Sequence, residues 1–252
     1  MIRISLCIEP VLQEYPMEER IRIAAEAGFT AVEFWEPAGK DLSRLSAAAA
    51  ASGVKIVACT LNESGSNRLD QSSGQVAANM RRSIAKAREI GCPSLIGLSG
   101  NLTGRMDSQK NILIENLKRV ADLLVQSDMT LVLEPLNSLI DHKGYYLDSS
   151  TVAFEIAKCV DCPNVRILYD AYHMQVMEGN LLRNITDNID WIGHFHTAGV
   201  PGRHEPMQGE IHYPNILKAI DALGYDRYVG LEYWPTYDHR QSIADCLAYM
   251  SV

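Results

Sequence analysis

No stretch of the sequence approaches the roughly 18 consecutive apolar residues of a membrane-spanning helix. The first residues lead straight into a strand-like run, without the charged head, apolar stretch and cleavage site of a signal peptide. Positive charge is in short supply: 23 Lys and Arg stand against 31 Asp and Glu, for a net charge of −8. No Lys/Arg cluster marks a basic groove, so binding along a nucleic-acid backbone is not expected. No G-x-G-x-x-G or Walker sequence follows an early strand, which removes the usual phosphate-binding turns of an open doubly wound sheet. Cysteines are few and scattered (Cys7, Cys59, Cys92, Cys159, Cys162 and Cys246) and do not read as a disulfide framework. The one C-x-x-C, at Cys159 and Cys162, lacks a second pair to complete a zinc site and falls at the end of a helical pattern before Pro163, so it reads as buried or capping thiols. These absences leave a cytoplasmic protein with a small-molecule partner and neither nucleic acid nor membrane.

What is present is a regular alternation. Short apolar, β-branched runs occur at Ile2–Ile8, Ala31–Trp35, Lys55–Thr60, Ser94–Leu98, Thr130–Glu134, Val165–Asp170, Trp191–His196 and Tyr228–Tyr233. Their near-continuous hydrophobicity suits strands covered on both faces of a parallel sheet. Between them lie amphipathic patterns at Pro16–Ala27, Leu42–Ala51, Val76–Ile90, Ser108–Ser127, Thr151–Val160 and Tyr213–Leu223. Gly28, Gly53, Gly91 and Gly224 follow four of these, where a helix turns into the next strand. Eight strand–helix units in 252 residues, with no linker or low-complexity break, predict an α/β fold: one (β/α)8 barrel over residues 1–252.

Active sites of such barrels form at the C-terminal ends of the strands. The first half of the chain supplies Glu9, Glu36 and Asn62 there. The second half supplies Glu134 in "LVLEPLN", Asp170 in "ILYDAYHMQ", His196 in "GHFHTAG" and Glu232 in "GLEYWP", one from each of four consecutive strands. Each acid directly follows an apolar run, where an unpaired charge is costly to desolvate. Carboxylates crowded together need a shared counter-charge, and one divalent cation supplies it. Three oxygen donors and one imidazole favour Mn²⁺, Mg²⁺ or Co²⁺, with Zn²⁺ also compatible. His173, three residues beyond Asp170, stands where a loop or helix can cover the site. His194 shares a strand face with His196 and reads equally as barrel packing or substrate contact. Arg203, in "AGVPGRHEP", suits an anionic or polyhydroxy substrate. Glu210 either fixes that loop or caps the next helix. Trp35 and Trp234 offer apolar walls. His142, His204, His212 and His239 read as surface or loop residues.

With these motifs in view, the sequence resembles the xylose isomerase-like TIM barrel superfamily of sugar isomerases and epimerases, and within it the hydroxypyruvate isomerases. The resemblance spans essentially the whole chain and is carried by "EPLN" (134–137), "YDAYHMQVMEG" (169–179), "GHFHTAG" (193–199), "GE" followed by Tyr213, and "EYWP" (232–235). It implies a metal held by Glu134, Asp170, His196 and Glu232, with Glu134 and Glu232 doubling as the acid/base pair. It also implies substrate contacts from His173 and Arg203, and a dimer or tetramer; His194, Asn62 and Glu210 are further candidate substrate contacts by their position at the strand ends and loops. Two departures concern the ketose 3-epimerases: Arg203 lies one residue further from His196 than in their pattern, and Ile140 stands where they carry a substrate-contacting Glu.

The chemistry implied is isomerisation of hydroxypyruvate to tartronate semialdehyde through a cis-enediolate, one glutamate removing a proton and the other returning one. Ketose epimerisation uses the same machinery in a deeper pocket. A dehydratase of the inosose or dehydroshikimate type and a non-catalytic sugar-binding barrel are the rivals from other classes. An apurinic-site endonuclease shares the barrel but resembles a multi-ligand zinc cluster on a basic surface, which this acidic chain lacks.

Overall fold

The computed structural model describes residues 2–62 and 68–251. Strands β1 (Arg3–Cys7), β2 (Ala31–Phe34), β3 (Lys55–Thr60), β4 (Ser94–Leu98), β5 (Thr130–Glu134), β6 (Val165–Asp170), β7 (Ile192–Thr197) and β8 (Tyr228–Leu231) close in chain order into one parallel barrel. The seam is β1 against β8, in register from Arg3 opposite Tyr228 to Leu6 opposite Leu231. Helices α1 (Met17–Glu26), α2 (Leu42–Ser52), α3 (Ser73–Glu89), α4 (Met106–Ser127) and α5 (Ser150–Val160) follow the first five. Beyond β6 come two short helices, α6 (Ala171–Met177) and α7 (Leu181–Thr186), then α8 (Tyr213–Ala222) after β7 and α9 (His239–Met250) after β8. This is the (β/α)8 barrel that the alternation predicts. Among the described residues no helix is long and apolar enough to cross a membrane.

Strand alternation assigns the two faces. On β5, Leu131 and Leu133 pack outward in the main core against helices, while Val132 and Glu134 share the inner face. On β6, Leu168 and Asp170 are related in the same way. Ala58, Ile96, Val132 and Leu168 form a small apolar cluster of their own, the inner filling contributed by β3 to β6. One step up the strands, the same face delivers Glu134 and Asp170 to the rim. Pairing of Asp170 with His196 and of His196 with Gly230 sets the strand ends level.

Element ends follow local chemistry. Asp41 caps α2 by accepting from the Arg44 N–H at 3.0 Å, and Gly53 ends it at φ 67°, a left-handed conformation that costs glycine little. Asp128 and Asp161 take that left-handed role after α4 and α5. The final helix α9 is absent from the periodic patterns read in the sequence. It buries only Ser242, Ile243, Cys246 and Met250, a stripe too narrow and mixed to stand out. All six cysteines are free; Cys159 is exposed and Cys162 buried.

The loops after β7 and β8 are joined by a carboxylate that sequence reading passed over. Glu205 is fully buried and accepts from the Thr236 N–H (2.9 Å), the Thr236 hydroxyl (2.9 Å) and the Ser242 hydroxyl of α9 (2.8 Å). Burial alone would raise its pKa, but hydrogen bonds from the Thr236 and Glu205 N–H groups and the two hydroxyls outweigh it and hold the carboxyl below its ordinary value. Its stabilisation is therefore complete above the unfolded carboxyl pKa of about 4.3 and fades as pH falls through the lower folded value. We expect Glu205→Ala to cost about 2 kcal/mol at pH 7, the scale of hydrogen bonds to a charged group. Urea unfolding should show the gap between parent and variant narrowing below about pH 4; a gap that widens there would contradict this account.

Candidate metal and active site

Glu134, Asp170, His196 and Glu232 meet at the C-terminal mouth, with one donor atom from each lying within 4.8 Å of the others, and all four buried. Each is fixed by its element. Asp170 ends β6 and caps α6: its Oδ1 accepts from the Tyr172 (2.8 Å) and His173 (3.2 Å) N–H groups, leaving Oδ2 to face the cluster. Glu232 directly follows β8; its Oε1 accepts from the Trp35 indole N–H at 2.6 Å, and its Oε2 is bound by the Arg203 guanidinium. Glu134 ends β5, where its backbone carbonyl accepts from the Tyr145 hydroxyl at 3.0 Å. His196 presents Nδ1 at 3.3 Å from Glu232 and 3.5 Å from Glu134, yet neither ring nitrogen makes a hydrogen bond.

The charges do not balance. Burial, aggravated by Glu232 and Glu134 and only partly relieved by Arg203 and His196, pushes the Asp170 carboxyl up to about 7. Glu232 is buried as well, but His196 and Arg203 hold it well below the carboxylate range. His196, against its burial, is held well above the usual imidazole value by Glu232 and Glu33. A retained proton on Asp170 is the mark of negative charge in excess of the available cations. The orphaned Nδ1 of His196 and the mixed carboxylate–imidazole donor set fit a divalent ion, which would be held by Glu134, Asp170, His196 and Glu232.

A cavity of about 270 Å³ opens above this cluster, with Trp35 and Trp234 as walls, their ring centroids 6.1 Å apart. His173 lines it, driven well below its usual pKa by burial and by Arg203. Its Nδ1 accepts from the Asn137 backbone N–H (3.2 Å) and faces the Asn137 side-chain amide at 2.6 Å, so the ring proton resides on Nε2, which has no hydrogen-bond partner. Arg203 sits at φ 59°, held there by its N–H to the Gly199 carbonyl and by the Trp234 N–H to its own carbonyl, both 2.9 Å. Strain of this kind, of order 1–3 kcal/mol, aims a side chain that a relaxed backbone would not. The guanidinium lies 5.0 Å from the Trp234 ring and 5.3 Å from that of Tyr172.

Of the residues singled out in the sequence, Glu134, Asp170, His196, Glu232, His173 and Arg203 converge here. Asp170 belongs to the cluster without lining the cavity, and the three remaining expected substrate contacts do not line it either. His194 lies inside the barrel, bonded to Glu33 at 2.7 Å. Asn62 donates its backbone N–H to Ser83 Oγ of α3 at 2.9 Å. Glu210 is exposed and accepts from Gln175 at 3.0 Å in an outer groove. Conversely, His142 lines the cavity, its ring 5.3 Å from that of His173, although its polar loop gave no sign of this in the sequence. Asn137 organises that loop, its Oδ1 accepting from the Ile140 and Asp141 N–H groups. Glu33 was legible only as a charge within the apolar run "AVEFW".

The family described as "Xylose isomerase-like TIM barrel" matches residues 21–250. This chain belongs to that family. It is 33% identical to the hydroxypyruvate isomerase of Escherichia coli (strain K12), over 93% of this chain and 94% of that one. It is 31% identical to a 2-oxo-tetronate isomerase of Cupriavidus necator, over 93% and 94%. Among solved structures, one from Brucella melitensis described as an AP endonuclease of family 2 superposes with a TM-score of 0.92 at 30% identity, covering 99% of both chains.

An ion entering this family member's cluster must displace the protons that Asp170 and His196 retain. Mn²⁺ should therefore raise Tm more as pH rises from 6 to 8, with the part of the gain that comes from Asp170 levelling off above the carboxyl's value of about 7. Thermal melts with and without Mn²⁺ check this; a shift that is flat or declines with pH would contradict the charge balance described.

Proposed function

We propose that this protein is a proton-transferring isomerase of small hydroxylated keto acids, with hydroxypyruvate and tartronate semialdehyde as the substrate pair. The observation that carries the proposal is the convergence of Glu134 and Glu232, from β5 and β8, on one buried imidazole beneath a small cavity that also holds Arg203 and His173. A bound divalent ion supplies Lewis-acid stabilisation of the negative charge that develops on the substrate oxygens. One glutamate takes the proton from the carbon beside the carbonyl and the other returns a proton to the neighbouring carbon. His173 offers its Nε2–H to a developing oxyanion. Arg203 keeps its buried Nε–H unpaired, a donor for a carboxylate or hydroxyl. Trp35 and Trp234 keep water from the enediolate.

His142 supports a polar substrate of limited length, because its imidazole lines the cavity on the β5 side and offers a donor and an acceptor there. Ile140, in the same loop, is exposed and offers no polar contact to a longer ketose. The names of the relatives leave a four-carbon 2-oxo acid as the second reading. A DNA-cleaving role has less support, since a net charge of −8 works against phosphate-backbone binding.

The test is ¹H NMR in D₂O with Mg²⁺, comparing hydroxypyruvate, 2-oxo-tetronate, fructose, tagatose and ribulose, with Glu134→Gln as control. We expect deuterium entry at C3 of hydroxypyruvate with conversion to tartronate semialdehyde, abolished in the variant. Exchange confined to 2-oxo-tetronate or to a ketose would transfer the assignment to that substrate. His142→Ala should raise KM about tenfold, the loss of roughly 1.4 kcal/mol of uniform binding, with kcat within about threefold of the parent. A fall in kcat at unchanged KM would instead put His142 in the proton transfer.

A further inference from the structure

One buried carboxylate has no part in the proposed chemistry. Glu33, in the middle of β2, is 1% exposed and flanked by the buried Val32 and Phe34. A carboxylate left unpaired in such surroundings costs several kcal/mol, so its partners matter. Its Oε1 accepts from the Ser5 hydroxyl of β1 at 3.3 Å, and its Oε2 accepts from His194 Nε2–H at 2.7 Å. The same Oε2 lies 3.5 Å from His196 Nε2. His194 and His196, two residues apart on β7, both turn inward, their rings edge-to-face at 5.2 Å. Space for the carboxylate comes from Gly230 of β8: a Cβ there would stand 1.9 Å from Glu33 Oε1 and 2.9 Å from His196 Cδ2. Four strands thus cooperate to bring one negative charge to the back of one imidazole.

The two nitrogens of His196 face different neighbours. Nδ1 looks toward Glu134 and Glu232, and Nε2 looks toward Glu33. The imidazole that accepts a cation has given up its extra proton and holds a single one. Placed on Nδ1, that proton would block the cation cluster and set the Nε2 lone pair against the Glu33 carboxylate. Placed on Nε2, it faces Glu33 favourably and leaves the Nδ1 lone pair to a cation. We propose that Glu33 is a positioning residue that keeps the His196 proton on Nε2 and turns the Nδ1 lone pair into the Glu134–Asp170–Glu232 cluster. His194 anchors Glu33, and Gly230 admits it. A carboxylate behind a ligating histidine fixes its tautomer and raises its basicity. This assigns His194 a role within the barrel instead of on the substrate. The inference rests on the cation site of the reading above and is independent of which substrate is turned over.

The experiment uses protein labelled with ¹⁵N-histidine and loaded with Mg²⁺, together with Mn²⁺ affinities from chelator competition. In the parent, the His196 Nε2–H proton should appear far downfield with Nδ1 unprotonated. Glu33→Gln, nearly the same in shape, should move that proton upfield and weaken Mn²⁺ binding 10–100-fold. Gly230→Ala, which displaces the carboxylate without removing it, should weaken binding as well. A purely structural Glu33 would lower stability without moving the Nε2–H signal. A proton on Nδ1 in the parent, or two Mn²⁺ ions per chain with Glu33, His194 and His196 holding the second, overturns the proposal. Tight Mn²⁺ binding by the parent with Glu33→Gln within threefold of it overturns the role of Glu33 alone. A parent that binds no Mn²⁺ overturns the cation site and this inference together.

Discussion

Four carboxylates, those of Glu33, Glu134, Asp170 and Glu232, are buried at one end of a barrel whose lower filling is aliphatic. Like charges repel strongly where water cannot screen them, and each acid has lost its hydration. The arrangement persists because every acid is held by something stiff: a strand end, the N-terminus of α6, an indole N–H, or a second histidine. Even so, the cations within reach leave a deficit, expressed as a carboxyl pushed up to about 7 at Asp170. That deficit explains several features together. It makes the mixed oxygen–nitrogen donor set consistent with a divalent-ion site, it draws Arg203 onto Glu232 and Asp170, and it leaves the ring nitrogens of His196 facing carboxylates on two sides.

The same need for rigidity shapes the periphery. Arg203 reaches the acids only because its backbone is held in the left-handed region by the Gly199 and Trp234 contacts, and the stretch around it is tied to α9 through Glu205. On the opposite side, Asn137 links the loop carrying His142 to the Nδ1 of His173, so that one amide sets both a cavity wall and a tautomer. In each case a polar side chain, satisfied within the protein, fixes the direction of another that is left unsatisfied toward the cavity. Three unsatisfied atoms, His173 Nε2, Arg203 Nε and His196 Nδ1, gather at the cluster and the cavity above it.

Much of this was legible in the chain. Doubly buried parallel strands produce unbroken apolar runs, so acids placed immediately after them, as in "LVLEPLN" and "ILYDAYHMQ", stand out against the pattern. Residues whose environment comes from distant segments were not legible. Glu33 looked like one charge in a short strand, yet its partners Ser5, His194 and Gly230 come from three other strands. His142 sits in a polar loop like any surface histidine until the loop folds over the rim. His194 could not be assigned by strand parity alone, because parity gives the face but not the depth along the barrel axis. Asn62 and Glu210 occupy loops, where no periodicity constrains direction.

The sequence by itself determined the barrel and the ligand-type residues on β5 to β8, because both are properties of order along the chain: a repeat of apolar runs, and polar groups at fixed offsets from them. Tertiary structure alone decided which nitrogen of His196 faces Glu134 and Glu232, which histidine reaches the cavity, and how far the acids outnumber their cations. Those properties depend on distances of a few ångströms between segments far apart in sequence, and electrostatic and hydrogen-bond energies are set by such distances.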